Sequence, residues 1–248
     1  PLFGWKRADG TRLIRRAWIE IPRKNGKTEI AAGISLLMMF IDREMGGQGY
    51  SMAVDKDQAK IVFNKAATMA AMNPALSNRL ELLKGAIFCP ALNYSFKPLS
   101  AGPHGKHGLS PVFAIGDEVH EWRDGELADV VHKGTAARRQ PLEIYITTAG
   151  IKGVGYAAEQ HELALEILVG DVIDPTMLVV IFAAGENDDW TKEETWRKAN
   201  PNYGISVKPD YMREEAEKAA RSPRAENDFR RFHLNQWTEQ VTRWIPVV

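Results

Sequence analysis

Two separate stretches of this chain carry residue types suited to binding and cleaving a phosphoanhydride. The first is Pro22-Arg23-Lys24-Asn25-Gly26-Lys27-Thr28, which follows an apolar run at 17–21 and leads into an apolar helical pattern at 27–40. A glycine-containing loop between a strand and a helix offers backbone N–H groups to phosphate oxygens at the positive end of the helix. Read this way, Arg23, Lys24, Asn25, Gly26, Lys27 and Thr28 form a nucleotide cradle, with Lys27 on the terminal phosphates and Thr28 on Mg2+. Gly26 permits the close approach. The full motif GxxxxGK(S/T) expects glycine where this chain has Ile21. On the loop alone, a chance Gly-Lys-Thr with Thr28 capping a basic turn stays open.

The second stretch is Val112-Phe113-Ala114-Ile115-Gly116-Asp117-Glu118, an apolar run that ends in adjacent carboxylates. A buried parallel strand delivers its C-terminal end to the rim of a sheet, where ligands bind. There Asp117 would hold Mg2+ through water, and Glu118 would position and deprotonate an attacking water. A surface Asp-Glu pair is the plainer alternative, and the apolar run leading into it argues against that. A third strand pattern ends in Thr147-Thr148-Ala149-Gly150. Hydroxyls of Thr147 and Thr148, with Gly150 beside them, can bond a γ-phosphate and report its loss.

These residues need a scaffold that brings distant strand ends together. Strand patterns at 17–21, 50–54, 111–115, 142–147 and 177–183 alternate with helical ones, which predicts an α/β fold with a mostly parallel sheet flanked by helices. Residues 56–72 read as a helix, 85–99 as two short strands turning near Asn93, and 100–111 as a Gly-, Ser-, Pro- and His-rich loop. After residue 186 the composition shifts to charged amphipathic helices at about 192–198, 209–220 and 224–236. This divides the chain into a core at 1–185 and a helical linker or lid subdomain at 186–248.

Composition narrows the classes. The chain is 44% hydrophobic, and its 32 basic and 32 acidic residues cancel, so any nucleic-acid surface must be a local patch. Lys6, Arg7, Arg12, Arg15, Arg16, Arg23, Lys24 and Lys27 give the first residues a basic excess that a solvated face would also explain. The lone Cys89 rules out an intramolecular disulfide and suits a reducing cytosol, with burial its expected fate. The longest apolar stretch, 30–41, is well short of the ~20 residues that span a bilayer, so no membrane partner is expected. His104 and His107 lack a third ligand at zinc spacing. His120 reads as orienting Glu118 or packing, and Trp190, Trp196, Trp237 and Trp244 as packing anchors.

With these motifs in hand, the chain resembles the large terminase subunit of tailed phages. The likeness rests on RKNGKT, on the DE followed by His, and on TTAG. It extends to Asp57-Gln58-Ala59, Arg138-Arg139-Gln140-Pro141, Asn200-Pro201-Asn202 and Phe232-His233-Leu234-Asn235-Gln236-Trp237. The resemblance implies an ASCE-type P-loop ATPase using ATP and Mg2+. Its copies would form a ring on the portal protein, act with the small terminase subunit and translocate double-stranded DNA in the host cytoplasm. It implies that Arg23 acts near the γ-phosphate, and it makes Lys106, Arg138 and Arg139 weaker candidates for contacts between subunits. It also implies a downstream nuclease domain and an upstream adenine-contacting segment. Because the chain starts at Pro1 and stops at Val248, both are expected to be missing and the nucleotide affinity weakened. Another P-loop DNA motor such as a helicase, or a portal- or DNA-binding scaffold that no longer hydrolyses ATP, remains as an alternative.

Overall fold

The computed structural model describes residues 1–100 and 108–239, so His104, Lys106, His107 and Trp244 lie outside the described residues. In chain order, β1 (Arg16–Glu20), α1 (Lys27–Ile41), β2 (Gln48–Ala53), α2 (Lys56–Met72) and α3 (Pro74–Ser77) come first. The chain continues through β3 (Glu81–Leu83), β4 (Ala86–Cys89), β5 (Tyr94–Ser100), β6 (Phe113–Gly116), α4 (Glu126–Gly134) and β7 (Leu142–Thr147). It then forms α5 (Tyr156–Val169), β8 (Met177–Ile181), α6 (Glu193–Ala199), α7 (Pro209–Ala219) and α8 (Pro223–Leu234).

All eight strands join one sheet in the order β3-β4-β5-β2-β6-β7-β1-β8. From β5 to β8 every neighbouring pair is parallel, and β3, β4 and β5 close that side as antiparallel neighbours. One strand, β7, lies between the loop strand β1 and the acidic strand β6. Successive side chains of a strand point to opposite faces. Thus Ala17, Phe113, Ile115, Leu142, Ile144 and Ile146 join α1 and α2 in one core, while Trp18, Ala114 and Tyr145 face α4 and α5 in another. A third cluster, built on Trp196, Ala199, Val207, Met212, Phe229 and Leu234 with Trp190 against it, holds α6, α7 and α8 together. Cys89 is buried in the first core. Among the described residues no helix is long and apolar enough to cross a membrane.

Helices α4 and α5 have no counterpart in the patterns above. In α5 the inner face carries Ala157, Ala158 and Ala164 with Leu163 and Ile167 only partly buried, while Leu165, Leu168 and Val169 are exposed, so apolar residues on both faces blur the stripe. The last helix stops at Leu234, short of the expected 236, because Asn235 turns left-handed with φ 57°. The basic excess near the N-terminus is not one solvated face either. Arg12 is 1% exposed and pairs with Asp42 at 2.6 Å, and it also donates to the Gln140 carbonyl at 2.7 Å.

Removing one partner of a buried ion pair leaves the other charge uncompensated, a cost of about 3–5 kcal/mol. Asp42→Ala is therefore expected to lower unfolding stability by about 3 kcal/mol in urea titrations. A loss well under 1 kcal/mol would mean that this pair does not hold the N-terminal segment to α1.

Candidate functional site

Beyond β1 the chain keeps pairing with β7, the Ile21 N–H donating to the Thr147 carbonyl at 3.1 Å. It then turns sharply through two left-handed residues, Lys24 at φ 69° and Gly26 at φ 79°. Ile21 is not among the left-handed residues, so the backbone has no need of glycine there. Its carbonyl has another use. Lys27, at the start of α1 and 6% exposed, sends Nζ back under the loop to Thr148 Oγ1 at 2.5 Å and to the Ile21 carbonyl at 3.0 Å. Burial pushes the Lys27 pKa down, the charges of Glu118 and Asp117 oppose that, and Arg23 adds to it.

The acidic pair closes the opposite wall. Asp117, at the end of β6, is 5% exposed, and burial followed by the Glu118 charge pushes its pKa up to about 6. Glu118 adopts φ 46°, a left-handed conformation rare for a residue with a Cβ. Its Oε2 is buried and makes no hydrogen bond. His120 Nδ1 lies 3.3 Å from that oxygen and 3.2 Å from Thr147 Oγ1, which also accepts from the His120 backbone at 2.9 Å. Burial holds His120 neutral, with its pKa pushed down to about 4. Two uncompensated carboxylates facing a buried ammonium suit a divalent cation. Among the described residues no three His, Cys, Asp or Glu side chains are arranged to hold one, so phosphate oxygens would have to complete a set begun by Thr28 and Asp117.

Between these walls lies a cleft of about 410 Å3 lined by Arg23, Lys24, Gly26, Lys27, Thr28, Glu29, Gln58, Ile61, Asp117, Glu118 and Glu121. Gln58 and Glu121 gained no role from the sequence, yet they bond across the mouth at 3.1 Å. Gln58 sat inside a quoted motif, and Glu121 follows Glu118 on the same short turn, so proximity to Glu118 was the available signal. A second cavity of about 490 Å3, lined by residues such as Phe40, Leu80, Cys89 and Leu92, contains none of the loop or acidic residues.

The C-terminal helices grip the loop from outside, a relation invisible in the sequence. Asn25, expected at the phosphates, is 2% exposed and spends its side chain elsewhere. Its Nδ2 donates to Asn200 Oδ1 at 2.7 Å and to the carbonyls of Pro22 and Arg23, and its Oδ1 accepts from the Asn202 N–H at 3.1 Å. What remains for a phosphate is its backbone N–H. Asn202 Nδ2 also donates to the Asn25 carbonyl at 3.1 Å, Ser206 Oγ to the Lys24 carbonyl at 2.6 Å, and the Arg23 N–H to the Phe232 carbonyl at 2.9 Å.

The strand end at Thr147 and Thr148 is gripped in the same way. Asn235 Oδ1 accepts from the Ala149 N–H at 2.6 Å. Gly150 allows the Trp237 ring to pack closely, since a Cβ there would lie 3.0 Å from it. Trp237 stacks on His161 at 4.5 Å and its Nε1 donates to the fully buried Glu20 at the end of β1, whose other oxygen lies 2.7 Å from His161 Nδ1.

Arg138 does not join this group. It donates to the Ser110 carbonyl at 2.6 and 2.9 Å and pairs with Glu44 at 2.8 Å, near the N-terminal ends of β2 and β7 and away from the loop. Arg139 is exposed near Asp9, and Lys106 lies outside the described residues.

Sheet order, loop and acidic strand together define a P-loop NTPase fold. Solved structures agree. The large terminase of bacteriophage HK97 superposes with a TM-score of 0.82 at 32% identity, covering 93% of this chain and 47% of that one. The ATPase domain of the Thermus phage P74-26 large terminase superposes with a TM-score of 0.64 at 16% identity over 95% of this chain and 96% of that one. Residues 1–165 match the family described as terminase large subunit, ATPase domain, and the chain belongs to that family. In sequence it is similar to the terminase large subunit of Enterobacteria phage HK97, 36% identical over 239 residues and 92% of this chain. The chain spans about half the length of such relatives, 45% of the HK97 protein.

Asp117 supplies a test of the site's electrostatics. Its folded pKa lies above the ordinary 3.8, so it favours folding when protonated, and that contribution is lost as pH rises through about 6. Asp117→Asn is accordingly expected to stabilise the chain at pH 8 by about 1–3 kcal/mol and by clearly less at pH 4.5, with the gain vanishing below the ordinary 3.8, read by urea denaturation. Destabilisation at pH 8 would contradict an uncompensated buried carboxylate.

Proposed function

We propose that this chain hydrolyses ATP and that the energy moves double-stranded viral DNA into a procapsid. The observation that carries this reading is the meeting of Lys27, Asp117 and Glu118 around one cleft, with the Thr148 hydroxyl bonded to the Lys27 ammonium. Membership of the terminase ATPase family supports the DNA-packaging part.

The chain's own residues account for each requirement of the reaction. Backbone N–H groups of the loop and the N-terminus of α1 cradle the phosphates, and Lys27 exchanges its bonds to Ile21 and Thr148 for phosphate oxygens. Thr28 and Asp117 would hold Mg2+, which when bound offsets charge on the phosphate oxygens. Water attacks the γ-phosphorus in line, the bond to the bridging β–γ oxygen breaks, and Glu118 takes the proton of the attacking water. Glu118 suits this role because its partly exposed carboxylate lines the cleft, and the neutral His120, 3.3 Å from Oε2, leaves its charge in place. Arg23 and Lys27 balance the charge that spreads over the transferred group. Loss of the γ-phosphate is relayed through Thr147, Thr148 and Gly150 to the Asn235 and Trp237 contacts. Residues 186–248 then move as a lid on the core at 1–185.

In the whole protein the same reading extends to a ring of copies on a portal protein, to a small terminase subunit, and to the host bacterial cytoplasm as the place of work. A strand-displacement assay run beside packaging separates this from a helicase, because a packaging motor advances on DNA without unwinding it.

Glu118→Gln is expected to keep nucleotide affinity while slowing phosphate release by roughly 100-fold, the scale of a lost general base. Lys27→Ala is expected to lose binding itself. Unchanged turnover in Glu118→Gln, measured with portal and DNA present, would remove Glu118 from the chemistry.

A further inference from the structure

Phe232 lies between two guanidinium groups. Arg23 Cζ is 3.6 Å from the centroid of its ring and Arg231 Cζ is 4.2 Å from it. Arg231 has Asp228 at 3.3 Å, and its Nε is buried without a hydrogen bond. Arg23 has no carboxylate at ion-pairing distance among the described residues, and it lines the cleft with Lys27, Glu118 and Glu121. Its backbone N–H is held by the Phe232 carbonyl, so both ends of Arg23 are fixed to one residue of α8.

A long side chain without an ion partner samples many rotamers, and an aromatic face attracts a guanidinium and restricts that freedom. Phosphate binding by an arginine depends on such pre-orientation, since a planar fork that is already aimed loses little freedom on contact. The γ-phosphate is the group that distinguishes a triphosphate from a diphosphate.

We propose that Phe232 is a positioning residue that aims Arg23 at the γ-phosphate, so that a residue of the C-terminal helices sets the preference for triphosphate over diphosphate. The inference rests on the reading of the cleft as an ATP site. It also explains why Phe232, only half-buried, stands beside the loop rather than in the cluster formed by Trp196 and Phe229.

The test is a titration of the chain with a fluorescent non-hydrolysable ATP analogue and with the matching ADP, each with Mg2+, for wild type, Phe232→Leu, Phe232→Tyr and Arg23→Ala. Phe232→Leu is expected to weaken triphosphate binding by roughly fivefold, the scale of a cation–π contact, and to leave ADP binding unchanged. Phe232→Tyr should restore the preference, and Phe232→Leu should add nothing in an Arg23→Ala background. If Phe232→Leu keeps the wild-type ratio, or weakens both nucleotides equally without rescue by tyrosine, the inference is overturned while the ATP site stands. If wild type binds neither nucleotide, the ATP reading itself fails and the inference goes with it.

Discussion

The Lys27 ammonium is the point on which the site depends. A buried cation must be satisfied, and here the partners are the Ile21 carbonyl leaving β1 and the Thr148 hydroxyl leaving β7, with Pro22 at 3.4 Å. One side chain therefore ties two parallel strand ends to the first turn of α1. The arrangement works only because the strands are parallel and adjacent, so that their C-terminal ends share one edge. The same edge receives Asp117 from β6, one strand further along. Among the described residues Lys27 has no carboxylate at ion-pairing distance, and burial holds Asp117 at a raised pKa. Opposite charges lie near each other without contact, a state that a polyphosphate and a divalent cation would complete.

A second constraint lies outside the cleft. The loop holds its shape with non-glycine Lys24 left-handed, a conformation that costs on the order of 1 kcal/mol and persists only where surroundings impose it. Those surroundings are the connection between α6 and α7, together with α8. Asn200 and Asn202 fix Asn25, Ser206 fixes the Lys24 carbonyl, and the Phe232 carbonyl fixes Arg23. Asn235 and Trp237 reach the Thr147–Gly150 strand end from the same side. The helices after residue 186 are thus bonded to both the phosphate loop and the strand end beside it.

How much of this could be read from the chain divides along physical lines. The loop and the acidic pair were legible because each is a continuous strand-to-loop segment whose chemistry is local. The mostly parallel sheet was legible because apolar runs such as Ile144-Tyr145-Ile146 are buried on both faces. Helix α5 was not, because apolar residues lie on both its inner face, at Leu163 and Ile167, and its outer face, at Leu165 and Leu168. The direction of the Asn25 side chain was not either, since its partner Asn200 is 175 residues away and only the folded chain brings them together. Asn200, Asn202 and Asn235 were visible as parts of quoted motifs, but composition and spacing carry no sign of which loop they hold. Arg138, singled out for a contact between subunits, bonds Ser110 and pairs with Glu44 of its own chain, partners that its motif gave no sign of.

The most direct measurement is a crystal structure of the chain with Mg2+ and a non-hydrolysable ATP analogue. The account predicts that Lys27 Nζ leaves Thr148 Oγ1 and the Ile21 carbonyl for the β- and γ-phosphate oxygens, with Asp117 on the metal side and Glu118 facing the γ-phosphorus. A nucleotide bound elsewhere, with Lys27 still bonded to Ile21 and Thr148, would contradict it.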